Sequence, residues 1–261
     1  MVMTDWSEIL DKRIAQYKQA LQLAKQGEQH NPGPWPVAED VPLAVLQAWI
    51  GQVPGAWKLA YNEHTKATLL YGDPSPPHAR TAGWFMMNMA EQIKDVLGPD
   101  ALGAVDFSTE TIKLSTSSYK TPDFAVFARS CKKAIMVVEV GYHCEQTFQD
   151  VTDEVNAWSQ AMHPVVIGVK ITDNAMTTSI HNPRIELIVR VITESDQVFH
   201  LGQGSPQPCL GEGTHIIKIP AKVFDSVTQT NQQSLTASLQ LDLFSLQEDI
   251  MRWVLLRDTH F

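Results

Sequence analysis

Apolar residues recur along this 261-residue chain first with the period of a helix, then with that of strands, and finally with both in alternation. Helical spacing predicts helices from a cap at Thr4 or Asp5 to about residue 27, then over residues 42–52 and 79–97. The last of these is broadly apolar and ends at Gly98-Pro99. A Pro-rich stretch around residues 30–41 indicates an extended connector.

Beyond residue 100 the pattern changes to short runs of strand type. The predicted strands cover residues 102–107, 111–115, 124–128, 134–140, 165–171, 185–192 and 215–219. Thr147-Phe148-Gln149-Asp150 is a capping box with Asp in the place of Glu, and it predicts a helix to about residue 161. A further amphipathic helix is predicted over residues 239–256. The strand–helix–strand step through residues 134–171 predicts two parallel, adjacent strands.

Two carboxylates stand out against these apolar strands. Glu139 lies inside the run Ile135-Met136-Val137-Val138-Glu139-Val140-Gly141, and Asp123 starts the preceding run of residues 124–128. An unpaired buried charge costs on the order of several kcal/mol, so such groups are usually paired, bound to a metal or placed at an opening. Because two strands joined by a short turn bring both carboxylates to one place, the pair predicts a divalent-metal site.

Composition narrows the classes of function. The net charge of −9 and the pI of about 5.4 argue against a surface that tracks nucleic acid throughout, although a local basic patch is compatible with them. No apolar stretch is long enough to span a membrane, and the first ten residues carry Asp5 and Glu8 without a secretory pattern. Three widely spaced cysteines indicate free thiols in a reducing compartment, so we expect an intracellular protein, cytoplasmic or nuclear.

The order of elements, with Pro122-Asp123 and Val137-Val138-Glu139-Val140-Gly141 on successive strands, resembles the PD-(D/E)XK nuclease superfamily. It is most similar to a fungal-type subgroup with Glu-Val-Gly in the place of the (D/E)XK motif. The resemblance covers about residues 79–171. It implies an α/β, restriction-endonuclease-like αβββαβ core with a mixed sheet. We expect this core over residues 78–200, a helical extension and connector over 1–77, and a β/α extension over 201–261, all in a single globular unit.

The resemblance also implies a chemistry, the metal-dependent hydrolysis of nucleic-acid phosphodiester bonds, in DNA more than in RNA. By it, Asp123, Glu139 and the carbonyl of Val140 are the ligands of Mg²⁺ or Mn²⁺. Oxygen ligands suit Mg²⁺, which lowers the pKa of an attacking water and neutralises charge on the phosphate. Glu91, on the helix predicted over residues 79–97, is a further candidate for the metal shell. Its alternative is a surface pair with Lys94.

Gly141 departs from the family pattern, which has a lysine two positions after the glutamate. Residues 139 and 141 share one face of a strand, so the ammonium is missing from that position. Lys170, near the end of the neighbouring predicted strand, is our candidate replacement, and Lys120 is a second one. The alternative for Lys170 is a strand-end lysine whose ammonium reaches solvent.

Other polar residues near the ends of predicted elements have two interpretations each. His143 is a candidate for substrate contact or proton transfer, and its alternative is an ordinary loop residue. Arg80 and Lys132-Lys133 are candidates for phosphate contact, and their alternative is a solvated charge at the end of an element. Cys144 has no ordered base beside it in the sequence pattern, and Asp150 is expected to cap its helix rather than to bind metal.

Gly141 and the negative net charge also favour a second hypothesis for the whole chain. A nuclease-like fold without catalysis would bind protein or nucleic acid, because a fold alone does not fix a function. The expected partner is therefore nucleic acid or another protein, with no membrane involved and no oligomeric state indicated.

Overall fold

A computed structural model describes residues 6–25, 35–38, 40–50, 58–62, 67–71, 76–115, 118–142, 146–172, 183–192, 194–202, 205–206, 209–225 and 236–257. The chain folds into two compact units. The first comprises Met1–Pro74 and Thr111–Thr121, and the second comprises Ser75–Glu110 and Pro122–Phe261. The chain therefore leaves the second unit after Glu110 and returns to it at Pro122.

The described elements are six α-helices, thirteen strands and a short 3₁₀ turn at Ala221–Phe224. The helices are α1 (Trp6–Lys25), α2 (Leu43–Ile50), α3 (Pro76–Leu97), α4 (Pro99–Gly103), α5 (Phe148–Gln160) and α6 (Leu243–Arg257). The strands are β1 (Trp35–Ala38), β2 (Lys58–Asn62), β3 (Ala67–Tyr71), β4 (Val105–Ser108), β5 (Ile112–Ser115), β6 (Ser118–Lys120), β7 (Phe124–Ala128), β8 (Lys133–Gly141), β9 (Val165–Thr172), β10 (Arg184–Val191), β11 (Gln197–Leu201), β12 (Ile216–Pro220) and β13 (Ser238–Asp242).

The first unit contains an antiparallel sheet in the order β1-β3-β2-β6-β5. The helical stripe of α1 buries Leu10, Ile14 and Tyr17 in one hydrophobic cluster with α2 and β1. Within the same unit the indole N–H of Trp49 donates to Asp11 Oδ1 at 2.9 Å, which fixes α2 to α1. The helix predicted from a cap at Thr4 or Asp5 to about residue 27 is confirmed over the length of α1, and its predicted ends lie outside the described residues.

The second unit contains a six-stranded mixed sheet in the order β11-β10-β9-β8-β7-β4. Strands β4, β7 and β8 are antiparallel neighbours, α5 follows, and β9 then lies parallel to β8. With α3 in front, this is the predicted αβββαβ order, and the restriction-endonuclease-like α/β fold class is confirmed. The predicted parallel pairing of β8 and β9 is confirmed as well, and α5 is the crossover that a parallel pair needs.

The two faces of this sheet are covered by different helices. Helix α3 buries Phe85, Met89 and Ile93 in one core with Val138 and Val140 of β8. Helix α5 buries Val151, Val155 and Trp158 on the other face. Side chains alternate along a strand, so Glu139 and Gly141 point to the face that α5 covers.

Three elements differ from their predicted form. The segment predicted as a strand over residues 102–107 begins as α4, because Pro99 after Gly98 suits the first turn of a helix. Strand β5 forms as predicted, but it pairs with β6 in the sheet of the first unit. The helix predicted from residue 239 begins at Leu243, since Leu239 and Leu241 alternate with exposed or half-buried residues in β13, which pairs with β12.

Strands β1, β2, β3, β6 and β11 were not among the predicted strands, and β1 lies in the stretch predicted as an extended connector. Among the helices that the structure describes, none combines the length and the apolar character needed to cross a bilayer.

Candidate metal centre

The hairpin of β7 and β8 places Asp123 and Glu139 next to the same end of its ladder. Phe124 and Val138 form the last pair, Asp123 comes one residue before Phe124, and Glu139 comes one residue after Val138. The backbone N–H of Asp123 donates to the Val138 carbonyl at 3.1 Å, which holds the chain in place beyond the strand end. Both carboxylates are buried, with 6% and 4% of their surface exposed. The structure thus brings together the two residues that the sequence singled out.

Just before β7 begins, the Asp123 side chain accepts a backbone hydrogen bond that a further strand residue would otherwise have accepted. Its Oδ2 accepts a hydrogen bond from the backbone N–H of Val140 at 2.8 Å. The N–H and the carbonyl of one strand residue point to the same side, because paired residues exchange both bonds. The Val140 carbonyl therefore faces the Asp123 side of β8, where the sequence had placed the third ligand.

Glu139 is held by the indole of Trp158. The Trp158 N–H donates to Glu139 Oε1 at 2.7 Å, and the indole is fully buried on α5. The sequence analysis did not give Trp158 this function. A signal for it existed, because a buried indole N–H needs an acceptor and Glu139 is a polar residue in a run of apolar ones.

Lys170 lies on the strand next to Gly141. In the parallel register of β8 and β9, Glu139 is opposite Gly168 and Gly141 is opposite Lys170. Residues paired in register share a face, so the Lys170 side chain leaves the sheet on the same side as Glu139. Only 2% of Lys170 is exposed. Lys170 is therefore a buried lysine one strand away from Gly141, on the face of the sheet where Glu139 lies.

The charge of Lys170 acts on Asp150, which lies in the first turn of α5. The capping box of α5 is formed: the hydroxyl and the backbone N–H of Thr147 both bond to Asp150. These bonds are the main reason why the pKa of Asp150 lies below its usual value, and the nearby charge of Lys170 lowers it further. Lys170 thus lies close to the first turn of α5, and Asp150 caps the helix as expected.

Gly141 and Gly168 allow α5 to approach the sheet closely. A Cβ on Gly141 would lie 2.5 Å from Gln146 Oε1 and 2.7 Å from Val151 Cγ2. A Cβ on Gly168 would lie 2.7 Å from side-chain carbons of Val151 and Val155. The space in which the family carries its lysine is therefore filled by side chains from and just before α5.

Glu91 and Arg80 both belong to α3. Glu91 is exposed on α3, which packs on the opposite face of the sheet, so the structure does not bring it to the carboxylate pair. Lys120 belongs to β6 in the first unit. Arg80 lies within α3 and pairs with Asp249 at 3.4 Å. Lys132 and Lys133 are exposed, and His143 and Cys144 lie outside the described residues.

The donor chemistry of the pair fits a hard divalent cation. Within the described ranges no group of three or more His, Cys, Asp or Glu side chains forms a metal cluster. The set at the strand end is two carboxylates and the Val140 carbonyl, all of them oxygen donors. Mg²⁺ and Mn²⁺ accept such a set, because Mg²⁺ keeps several waters and needs only one or two carboxylates. Zn²⁺ sites use histidine and cysteine far more.

Comparisons with known proteins give distant similarity only. No protein-family model and no curated protein matches the chain. One solved structure to which it is similar comes from Anabaena variabilis and is described as a "putative nuclease belonging to DUF820". The two are 13% identical with a TM-score of 0.41, and the match covers 79% of this chain and 97% of that one. A similarity this distant does not indicate a function, and the function is inferred from the site residues.

Replacing Gly141 by alanine tests the close approach of α5. We expect the variant to lose about 1–3 kcal/mol of unfolding free energy, because Val151 is anchored in the core and cannot give way as Gln146 can. Gly83→Ala in α3 is the matched control, since a Cβ there meets nothing within 4 Å. It should gain about 0.5–1 kcal/mol from helix propensity. Urea unfolding measures both, and equal effects of the two substitutions would contradict the packing described.

The stability of the fold should depend on pH through His163, whose ring lies near the Trp158 indole. Burial lowers the pKa of His163, the bond to the Ala134 carbonyl opposes this, and the charge of Lys133 lowers the pKa further. The unfolded chain therefore takes up its proton at higher pH than the folded chain does. Unfolding free energy should fall as the pH drops below about 6.5. Urea titrations across this range should show a flatter dependence for His163→Asn, and an unchanged slope would assign the effect to other groups.

Proposed function

We propose that the second unit hydrolyses phosphodiester bonds of nucleic acid with the help of Mg²⁺ or Mn²⁺ bound at Asp123 and Glu139. The observation that carries the proposal is the pair of buried carboxylates on either side of the last ladder pair of β7 and β8. Two of their hydrogen-bond donors, a backbone N–H and an indole N–H, carry no formal charge. Two buried carboxylates at one end of the hairpin favour a cation there, because a buried charge needs a compensating partner.

The protein's contribution is to fix the carboxylates before a metal arrives. Asp123 is held by the amide of Val140 and Glu139 by the indole of Trp158, so neither carboxylate has to be ordered on binding. The Val140 carbonyl would complete the set of protein ligands. A bound divalent cation would supply a water of lowered pKa and would neutralise charge on the phosphate.

Lys170 would supply the positive charge that Gly141 cannot. It lies in register beside Gly141, and the strand spacing with a two-residue offset puts its Cβ about 8 Å from that of Glu139. A lysine side chain can cover much of that distance. We propose that its ammonium stabilises the negative charge that develops on the phosphate, which is the part played by the strand lysine in the family.

Metal binding and cleavage test the carboxylate pair. Asp123→Asn and Glu139→Gln should each weaken Mn²⁺ binding by at least about 100-fold in calorimetry, because a ligand costs no less than its supporting partner. Both should abolish the Mg²⁺-dependent cleavage of plasmid and of single-stranded DNA. Asp95→Asn removes an equally charged but exposed carboxylate from α3 and should change neither reading. A wild-type protein that binds no metal and cleaves nothing would end the proposal, and binding of DNA without cleavage would support the non-catalytic alternative.

Lys170→Met tests the displaced lysine separately, because methionine preserves length and removes the charge. We expect the cleavage rate to fall by about 10²–10³ while Mn²⁺ affinity stays within about threefold, since loss of a transition-state contact acts on the rate. Lys218→Met, at an exposed position of β12, is the control. If Lys170→Met cleaves as fast as the wild type, Lys170 has no part in the reaction.

A further inference from the structure

A row of polar residues crosses the sheet next to the carboxylate pair. The strand registers align Gly141 on β8, Lys170 on β9, Glu186 on β10 and His200 on β11. All four point to the face that α5 covers, because residues paired in register share a face. The sequence analysis did not single out Glu186 or His200, since β11 had not been predicted and the pairing could not be seen.

Glu186 joins two basic side chains through a single oxygen. Arg184 Nη2 donates to Glu186 Oε1 at 2.7 Å. His200 Nδ1 lies 3.3 Å from the same oxygen, which makes an ion pair when the imidazole is protonated and is outside the geometry of a hydrogen bond. The Glu186 side chain is only 12% exposed, whereas those of Arg184 and His200 are 50% and 32% exposed. The buried carboxylate therefore holds two basic groups that solvent can reach.

This arrangement leaves donors available to a ligand. A guanidinium has five N–H donors in a planar fork, and the bond to Glu186 uses one of them. The centroids of the His200 and Phe148 rings are 6.2 Å apart, and this contact limits the rotation of the His200 ring. A guanidinium fork and a fixed imidazole on one surface suit a tetrahedral oxyanion better than a neutral or cationic ligand.

We infer that Arg184 and His200 form a phosphate-binding subsite, positioned by Glu186, for a backbone phosphate of the nucleic-acid strand whose neighbouring phosphate is attacked. The inference rests on the proposed function for the identity of the ligand. The row from Lys170 to His200 crosses two strand spacings, about 10 Å. A strand carries a phosphate at every nucleotide, so a subsite at this distance from Lys170 would hold a phosphate other than the scissile one.

Binding without metal tests the subsite apart from the chemistry. The probe is a fluorescein-labelled DNA single strand of about 12 nucleotides, with the matching duplex as a second probe. Anisotropy titrations in EDTA, from about 50 to 200 mM salt, give both the affinity and its salt slope. Arg184→Gln should weaken binding by about tenfold and reduce the slope of log K against log salt by about one.

Three further variants separate positioning from mere stability. His200→Gln should weaken binding as Arg184→Gln does, and Glu186→Gln should weaken it less while keeping the fold. Arg252→Gln, an exposed arginine on α6, removes the same charge and should leave affinity and slope unchanged. A slope that is equally low in Arg184→Gln and Arg252→Gln would overturn the subsite, because any lost charge would then have the same effect.

The two proposals fail in different ways. Wild-type cleavage with Mg²⁺ combined with undiminished binding by Arg184→Gln and His200→Gln overturns the subsite and leaves the hydrolysis standing. Salt-dependent binding that needs Arg184, without cleavage by the wild type, supports the subsite and overturns the hydrolysis. A wild-type protein that binds neither probe overturns both.

Discussion

The close approach of α5 to the sheet is the constraint on which the candidate site depends. Gly141 and Gly168 remove two side chains from the strands, and Val151 and Val155 fill the space. Only then does the Trp158 indole lie near enough to bond Glu139. The glycine that first looked like the loss of a catalytic residue is thus also a packing requirement, because a lysine at that position would displace the helix that orders the glutamate.

The same constraint accounts for where the positive charge lies. With position 141 closed, the nearest position on the same face is the in-register neighbour on β9, which is Lys170. The positive charge of Lys170 is then near the first turn of α5, where it helps to lower the pKa of Asp150. Strand register, helix packing and electrostatics therefore favour one arrangement in which two carboxylates lie at the strand end and the basic residues extend along the sheet from them.

Sequence patterns predicted the regular parts of this arrangement and missed the parts set by long-range pairing. Glu139 in an apolar run indicated a site because burial of charge is costly, and the β8–α5–β9 step fixed a parallel neighbour. The contact of Trp158 with Glu139 and the alignment of Glu186 with Lys170 depend on register, which no local pattern encodes. Glu91 was selected by its helix alone, and the face on which that helix packs could not be known.

The excursion of the chain between β4 and β7 has a consequence for how the molecule is made. Residues 111–121 complete the sheet of the first unit, although they lie between two strands of the second. During synthesis the first unit therefore lacks two strands until residue 121 has left the ribosome, by which time the residues of α3 and β4 of the second unit have already been made. A single cut of the chain cannot release both units whole, so their assembly is interleaved rather than sequential.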